Sequence, residues 1–294
     1  MSMHTGDEEV QFLEGVLYET FGSAPKLLDV RLVSGGSINM SVQLTTSEGS
    51  YFVKWNTADK EDMFRAESMS LKVLRDAEVL TVPEVIGYGS RSNKSYLILE
   101  FIQAAYRQHN YWEGFGESLA ILHSHTQKSF GLSFDNYIGS LPQGNSLSND
   151  GIEFFIEHRL KPQAGLALYN NLISHKLHDK FQTLYKALPD LLPRERPALV
   201  HGDLWSGNVI VDHHGYVALV DPATHYGLRE AEIAFTFLFG GFEPAFYEAY
   251  YEVFPMEKGF EERISIYNLY PLLVHVNLFG KSYLSAVEKV LDRF

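Results

Sequence analysis

Apolar residues recur at helical spacing over 9–21 and stop at Gly22, which predicts an N-terminal helix. The period then falls to two. Val30 and Leu32, then Met40, Val42 and Leu44, then Phe52 and Lys54 alternate with their neighbours, as strands do. Two turn clusters break this run, Ser34-Gly35-Gly36-Ser37 and Ser47-Glu48-Gly49-Ser50. Residues 60–77 return to helical spacing without Gly or Pro, and 85–89 and 96–102 read as further strands. The first hundred residues therefore predict a small, mainly antiparallel sheet with one inserted helix, followed by a polar linker at 103–110. Beyond 111 the pattern is mainly helical: 111–128, 151–170, 174–188 and 230–294. A turn-rich loop covers 131–150, and Pro189, Pro193 and Pro197 break the chain. Two short strands at 209–211 and 217–220 flank the turn Asp212-His213-His214-Gly215. The fold class expected is α+β, with a sheet lobe over 1–102 and a larger helical lobe over 103–294.

Composition narrows the function. The chain has 294 residues, enough for about two domains. Its 24 basic and 37 acidic residues leave a net charge of −13. That disfavours nucleic acid and anionic membranes as partners, since both attract basic patches. There is no cysteine, which excludes disulfides, thiolate nucleophiles and cysteine-based metal sites. No apolar run approaches the roughly 18 residues of a membrane span. The N-terminus lacks the basic and apolar regions of a secretory signal, so a cytoplasmic protein is expected.

The strongest chemical signal is His201-Gly202-Asp203-Leu204-Trp205-Ser206-Gly207-Asn208, set between two short strands, with Asp221 closing the hairpin that follows. An Asp, an Asn five residues on and a second Asp after a hairpin match a kinase catalytic loop and its metal-binding Asp. Phosphoryl transfer needs a carboxylate beside the incoming hydroxyl, the role of Asp203. It also needs hard oxygen ligands for Mg²⁺, which Asn208 and Asp221 supply. Upstream, Gly35, Gly36 and Ser37 form a Gly-rich turn suited to nucleotide phosphates, and Lys54 supplies a cation to them. Glu67, on the helix that follows, would pair with Lys54 and hold it. Glu100, Phe101 and Ile102 end the last strand, where the backbone would pair with adenine. Any one of these features alone reads equally well as turn or surface chemistry. Their order along the chain is that of a bilobed, protein-kinase-like fold using ATP and Mg²⁺. His123 and His125 lie two apart on a helix, and His213-His214 sits in a turn, so neither pair makes a convincing metal site.

The motifs HGDLWSGN at 201–208, DPATHYG at 221–227, REAE at 229–232 and LFGGF at 238–242 resemble those of the fructosamine kinase (ketosamine-3-kinase) family. The segments at 35–39 and 131–139 resemble it too. The likeness runs from about residue 9 to the C-terminus and links the chain to aminoglycoside phosphotransferases and choline kinases. It implies ATP-dependent phosphorylation of O3 of a ketosamine, free or on a glycated protein, and hence deglycation. Trp205, His225, Tyr226, Glu230 and Phe242 flank the catalytic motifs and are candidate substrate contacts. Ser37 stands where family members often carry Cys, so no disulfide-linked dimer is expected. No Ala-Pro-Glu anchor follows Asp221, which disfavours a protein-substrate kinase switched by loop phosphorylation. The alternatives are an aminoglycoside- or choline-type phosphotransferase of the same fold, or a nucleotide-binding pseudokinase.

Overall fold

The computed structural model describes residues 6–23, 25–33 and 39–294. Gly35, Gly36 and Ser37 lie outside the described residues. The chain forms two compact units, 1–107 with 210–221, and 108–209 with 222–294.

The first unit opens with α1 (Asp7–Phe21), which ends where Gly22 turns left-handed (φ 70°) and donates to Tyr18 O at 2.9 Å. Strands β1 (Leu27–Leu32), β2 (Met40–Thr46) and β3 (Gly49–Thr57) follow, then helix α2 (Glu61–Arg75), β4 (Val85–Arg91) and β5 (Lys94–Glu100). The sheet order is β1-β2-β3-β5-β4, with every neighbouring pair antiparallel. Between β4 and β5 both turn residues, Ser92 and Asn93, have positive φ (48° and 61°), which matches the strand twist of a two-residue hairpin. Phe12, Leu13, Val16 and Leu17 of α1 pack on Val42, Val53, Trp55 and Ile98 to make the core. Helix α2 carries Glu61 and Asp62 in its first turn and Lys72 and Arg75 in its last, as the helix dipole favours. The 210–221 segment is tied to this unit by backbone bonds from Leu219 N to Thr81 O (2.9 Å) and Ala105 N to Asp212 O (3.0 Å).

The second unit begins with α3 (Tyr111–Ser124), shorter than the 111–128 expected because His125 turns extended and its carbonyl accepts from Leu199 N at 3.0 Å. The 131–150 stretch is not all loop. It holds a small antiparallel hairpin, β6 (Asn136–Ile138) with β7 (Leu141–Gln143). The residues at 151–170 form α4 (Gly151–Phe155) and α5 (Lys161–Tyr169), joined by a wide π turn over Ile156–Leu160. Helix α6 (His175–Leu191) runs through Pro189, three residues past the expected stop. A proline in the last turn forfeits only one helical bond, so it ends the helix late rather than early.

Strand β8 (Ala198–Val200) leads into the 201–208 loop, and β9 (Val209–Val211) pairs with β10 (Val217–Leu219). Strand β11 (His225–Gly227) lies antiparallel to β8, with His225 opposite Val200. The expected helical tail resolves into α7 (Arg229–Thr236), α8 (Pro244–Val253), α9 (Phe260–Tyr267), α10 (Leu269–Phe279) and α11 (Leu284–Leu291). Gly116 lets α3 lie hard against α8: a Cβ there would stand 2.2 Å from Phe246 O. Among the described residues no helix is long and apolar enough to cross a membrane.

Candidate active site

Within the first unit, strand β3, helix α2 and the end of the β9–β10 hairpin bring three charged groups together. Lys54 Nζ lies 2.5 Å from Glu67 and 2.6 Å from Asp221 Oδ1. Lys54 is on a fully paired central strand and its side chain is only 5% exposed. Burial alone would lower its pKa, but the charges of Asp221 and Glu67 carry it well above the ordinary lysine value. Burial pushes the Glu67 carboxyl up, against the pull of Lys54. Asp221 is half exposed and adopts φ 53°, a left-handed conformation a non-glycine residue rarely takes. Such strain at a polar, accessible carboxylate is common at functional positions.

In the second unit the 201–208 loop is fixed from three sides. Asn208 Nδ2 donates to Asp203 O at 2.8 Å and Asp203 Oδ2 at 2.9 Å. His201 Nδ1 accepts from Asp203 N at 3.2 Å. Gly202 has φ 86°, and a Cβ on it would stand 2.1 Å from Ala223 O, so glycine is required there. Beneath the loop, the buried Glu232 of α7 accepts from His201 N (3.0 Å), Gly202 N (2.6 Å) and His123 Nε2 (2.9 Å). His123 meets Tyr250 Oη through its other nitrogen at 2.7 Å. Burial alone would raise the Glu232 pKa, but the His123 hydrogen bond and the backbone N–H of Gly202 hold it below the ordinary glutamate value.

A cavity of about 60 Å³ reaches Asp203 and Gly202. Its walls are largely apolar, with Phe154, Phe235 and Val274 among them, and its polar members include Arg159, His225 and Tyr270. His225 Nδ1 donates to Ala223 O at 3.1 Å, and burial holds this imidazole well below its ordinary value, so it is neutral with Nε2 as an acceptor. Tyr270 donates to Gln143 Oε1, whose amide in turn donates to Ala223 O (3.1 Å) and Asn136 Oδ1 (2.8 Å).

The other sequence candidates fall elsewhere. Glu230 is fully buried, its two oxygens taken by Arg263 at 2.6 and 2.8 Å, so it serves the packing of α7 on α9 and does not reach the cavity. Phe242 packs among Trp112, Phe115 and Phe246. Tyr226 exchanges backbone bonds with Gly131 in both directions. Trp205 is half-buried, meets Phe239 edge-on and lies over Gly207, where a Cβ would stand 2.3 Å from its ring. Glu100 accepts from Glu84 N at 3.1 Å, and Phe101 and Ile102 are half-buried after β5. Glu232, Tyr270 and Arg159 carry structure around Asp203 that sequence spacing did not single out, and His123, weighed there only as a metal ligand, holds Glu232.

The amide oxygen of Asn208 in the second unit and the carboxylate of Asp221 in the first are each hard oxygen donors of the kind Mg²⁺ takes. Both hydrogen bonds from the Asn208 amide nitrogen go to Asp203. In the first unit Asp221 Oδ1 accepts from Lys54.

A sequence profile described as fructosamine kinase matches residues 10–294. A probable ketoamine kinase of Synechocystis is 39% identical over 277 residues, covering 94% of this chain and 93% of the relative. The chloroplastic protein-ribulosamine 3-kinase of Arabidopsis thaliana is 36% identical, over 94% of this chain and 85% of that protein. Among solved structures, a candidate fructosamine-3-kinase of Haemophilus somnus superposes with a TM-score of 0.86 at 30% identity, over 96% of each chain. At the level of fold alone, the chain is similar to an aminoglycoside phosphotransferase solved with AMP-PNP and hygromycin B (TM-score 0.63, 17% identity, 95% of this chain and 97% of that one). The choline kinase LicA of Streptococcus pneumoniae is similar in the same sense (TM-score 0.64, 15% identity, 98% of this chain and 100% of that one). The architecture is therefore the protein-kinase-like α+β fold.

Proposed function

The chain belongs to the fructosamine kinase family, and on that premise we propose that it transfers the γ-phosphoryl group of ATP to O3 of a ketosamine, an adduct of a reducing sugar with an amine. The observation that carries this reading is the clamp of Asn208 on the Asp203 carboxylate, which lines a mostly apolar cavity. Asp203 orients the substrate hydroxyl and takes its proton as the new P–O bond forms and the bond to the ADP leaving group breaks. Lys54, held by Glu67, binds nucleotide phosphate, and Gly35, Gly36 and Ser37 supply backbone N–H groups to it. The backbone at Glu100, Phe101 and Ile102 pairs with adenine. Asn208 and Asp221 are each candidate ligands for Mg²⁺, which would supply charge neutralisation at the phosphates.

His225 is the sequence candidate that lines the cavity, and its Nε2 accepts from a sugar hydroxyl. The amine can be free or part of a glycated protein, and removal of the labile 3-phosphate completes deglycation. Apart from Asn208, the proposed nucleotide contacts fall in the first unit, 1–107 with 210–221, and the proposed substrate contacts in the second. A reducing, cytoplasm-like compartment suits the cysteine-free sequence.

The test is ATP consumption with Mg²⁺ on ribulose-lysine, fructose-lysine, free ribose, choline and kanamycin. Turnover of the ketosamines alone supports the reading. Turnover of choline or kanamycin with silence on both ketosamines overturns it.

A further inference from the structure

Three arginines in the second unit are buried, and they are treated differently. Arg229 pairs with Glu195 at 2.8 Å, and Arg263 pairs with Glu230. Arg159, 2% exposed and on the cavity wall, bonds only neutral oxygens: Gly144 O at 2.7 Å, His158 O at 2.9 Å and Asn145 Oδ1 at 2.7 Å. Its Nε has no hydrogen-bond partner among the described residues. The guanidinium lies over Phe154 at 4.6 Å and stands 5.8 Å from the Tyr270 ring. The π turn over Ile156–Leu160 sets Arg159 there, and such turns often mark functional positions.

The surrounding groups do not cancel its charge. Asp135 acts on it only at a distance and is held by Asn145 N at 2.7 Å. His158 and His225 are both pushed toward the neutral form, by burial first and Arg159 second. Glu232 is consumed by the catalytic loop and His123. The cavity is therefore dipolar, with the Asp203 carboxylate at one place and an uncompensated cation at another.

We propose that Arg159 sets the charge specificity of this cavity: it admits the uncharged polyol end of a ketosamine beyond O3 and excludes any ammonium group, so the substrate enters sugar-first with its amine outside. This rests on the ketosamine reading of the site. With the O3 hydroxyl at Asp203, the distal carbons approach Arg159. An ammonium there would lose its hydration beside a buried like charge.

The test compares two ketosamines altered at C6, one carrying a dimethylamino group and the other the neutral isostere isopropyl. Binding to the full chain is read by calorimetry, and the unmodified ketosamine is assayed beside them for phosphorylation. At pH 7 the cationic analogue should bind at least about 100-fold more weakly than its isostere. The gap should fall below about tenfold in Arg159→Gln and persist in Arg159→Lys, which keeps the charge. Should Arg159→Gln not fold, Arg159→Met, which removes the charge and keeps an apolar stem, gives the same comparison.

Equal binding of the two analogues at pH 7 overturns the proposal. So does a gap unchanged in Arg159→Gln or Arg159→Met, or binding of the parent with neither analogue. If the parent ketosamine is itself never phosphorylated, the ketosamine reading fails instead, and the two failures are distinguishable.

Discussion

Asn208 turns its side-chain amide onto Asp203, meeting both the carbonyl (2.8 Å) and the carboxylate (2.9 Å) of the same residue. Five residues of loop are closed on themselves, and the Asp203 carboxylate is held in one orientation before any substrate arrives. Preorganisation of this kind is what a positioned base requires.

Asp203→Asn keeps the shape and removes the proton acceptor. The turnover rate should fall by about 10²–10⁴ while nucleotide affinity stays within about twofold. Steady-state kinetics and a nucleotide titration check both halves, and near-native turnover would remove Asp203 from the role of base.

Lys54 is the buried partner of two carboxylates. Lys54→Met leaves Glu67 beside an apolar side chain and should cost about 3 kcal/mol, as breaking a buried ion pair does. It should also impair ATP use equally for every acceptor. Chemical denaturation reads the first effect and an acceptor panel the second. A loss confined to some acceptors would make Lys54 a substrate contact.

Glu232 gives a pH signature. Its carboxyl is held below the ordinary glutamate value of 4.5, so the folded state binds its proton less readily than the unfolded chain does. The stability it contributes is fully present above that ordinary value and is lost as pH falls through the lower folded one. Native chain and Glu232→Gln should therefore differ fully above the ordinary value of 4.5 and converge as pH falls through the lower folded one. Denaturant titrations across that range give the comparison, and a difference that grows on acidification would contradict the assigned ionic state.

Gly202→Ala should be severe. It forces a Cβ onto Ala223 O at 2.1 Å in a left-handed conformation that already costs about 1–2 kcal/mol for a non-glycine residue. Thermal melting should drop by several degrees or the chain should fail to fold, and tolerance of alanine would mean the loop is looser than these contacts imply.

The 201–208 loop was legible because its contacts are local: Asn208 closes back on Asp203, five residues away. Lys54 and Glu67 were legible for a similar reason, one strand and the next helix. Glu232 was not, since its partners lie 31 and 109 residues away. The neighbouring Glu230 drew attention instead. Two residues apart on α7 the side chains face different ways, one onto Arg263 and the other onto the loop backbone. Spacing alone cannot separate them without knowing what packs on each face. The hairpin at 136–143 was hidden because buried amides, Asn136 and Gln143, hold it rather than an alternating apolar pattern.

One measurement bears most directly on the chemistry assigned to Asp203. The full chain is incubated with ATP, Mg²⁺ and fructose-lysine or ribulose-lysine, and the phosphate is located on the product by ³¹P NMR, with Asp203→Asn run in parallel. A single phosphate on O3 from the native chain, and almost none from the variant, is the expected result. Phosphate on another oxygen, or equal product from the variant, would contradict it.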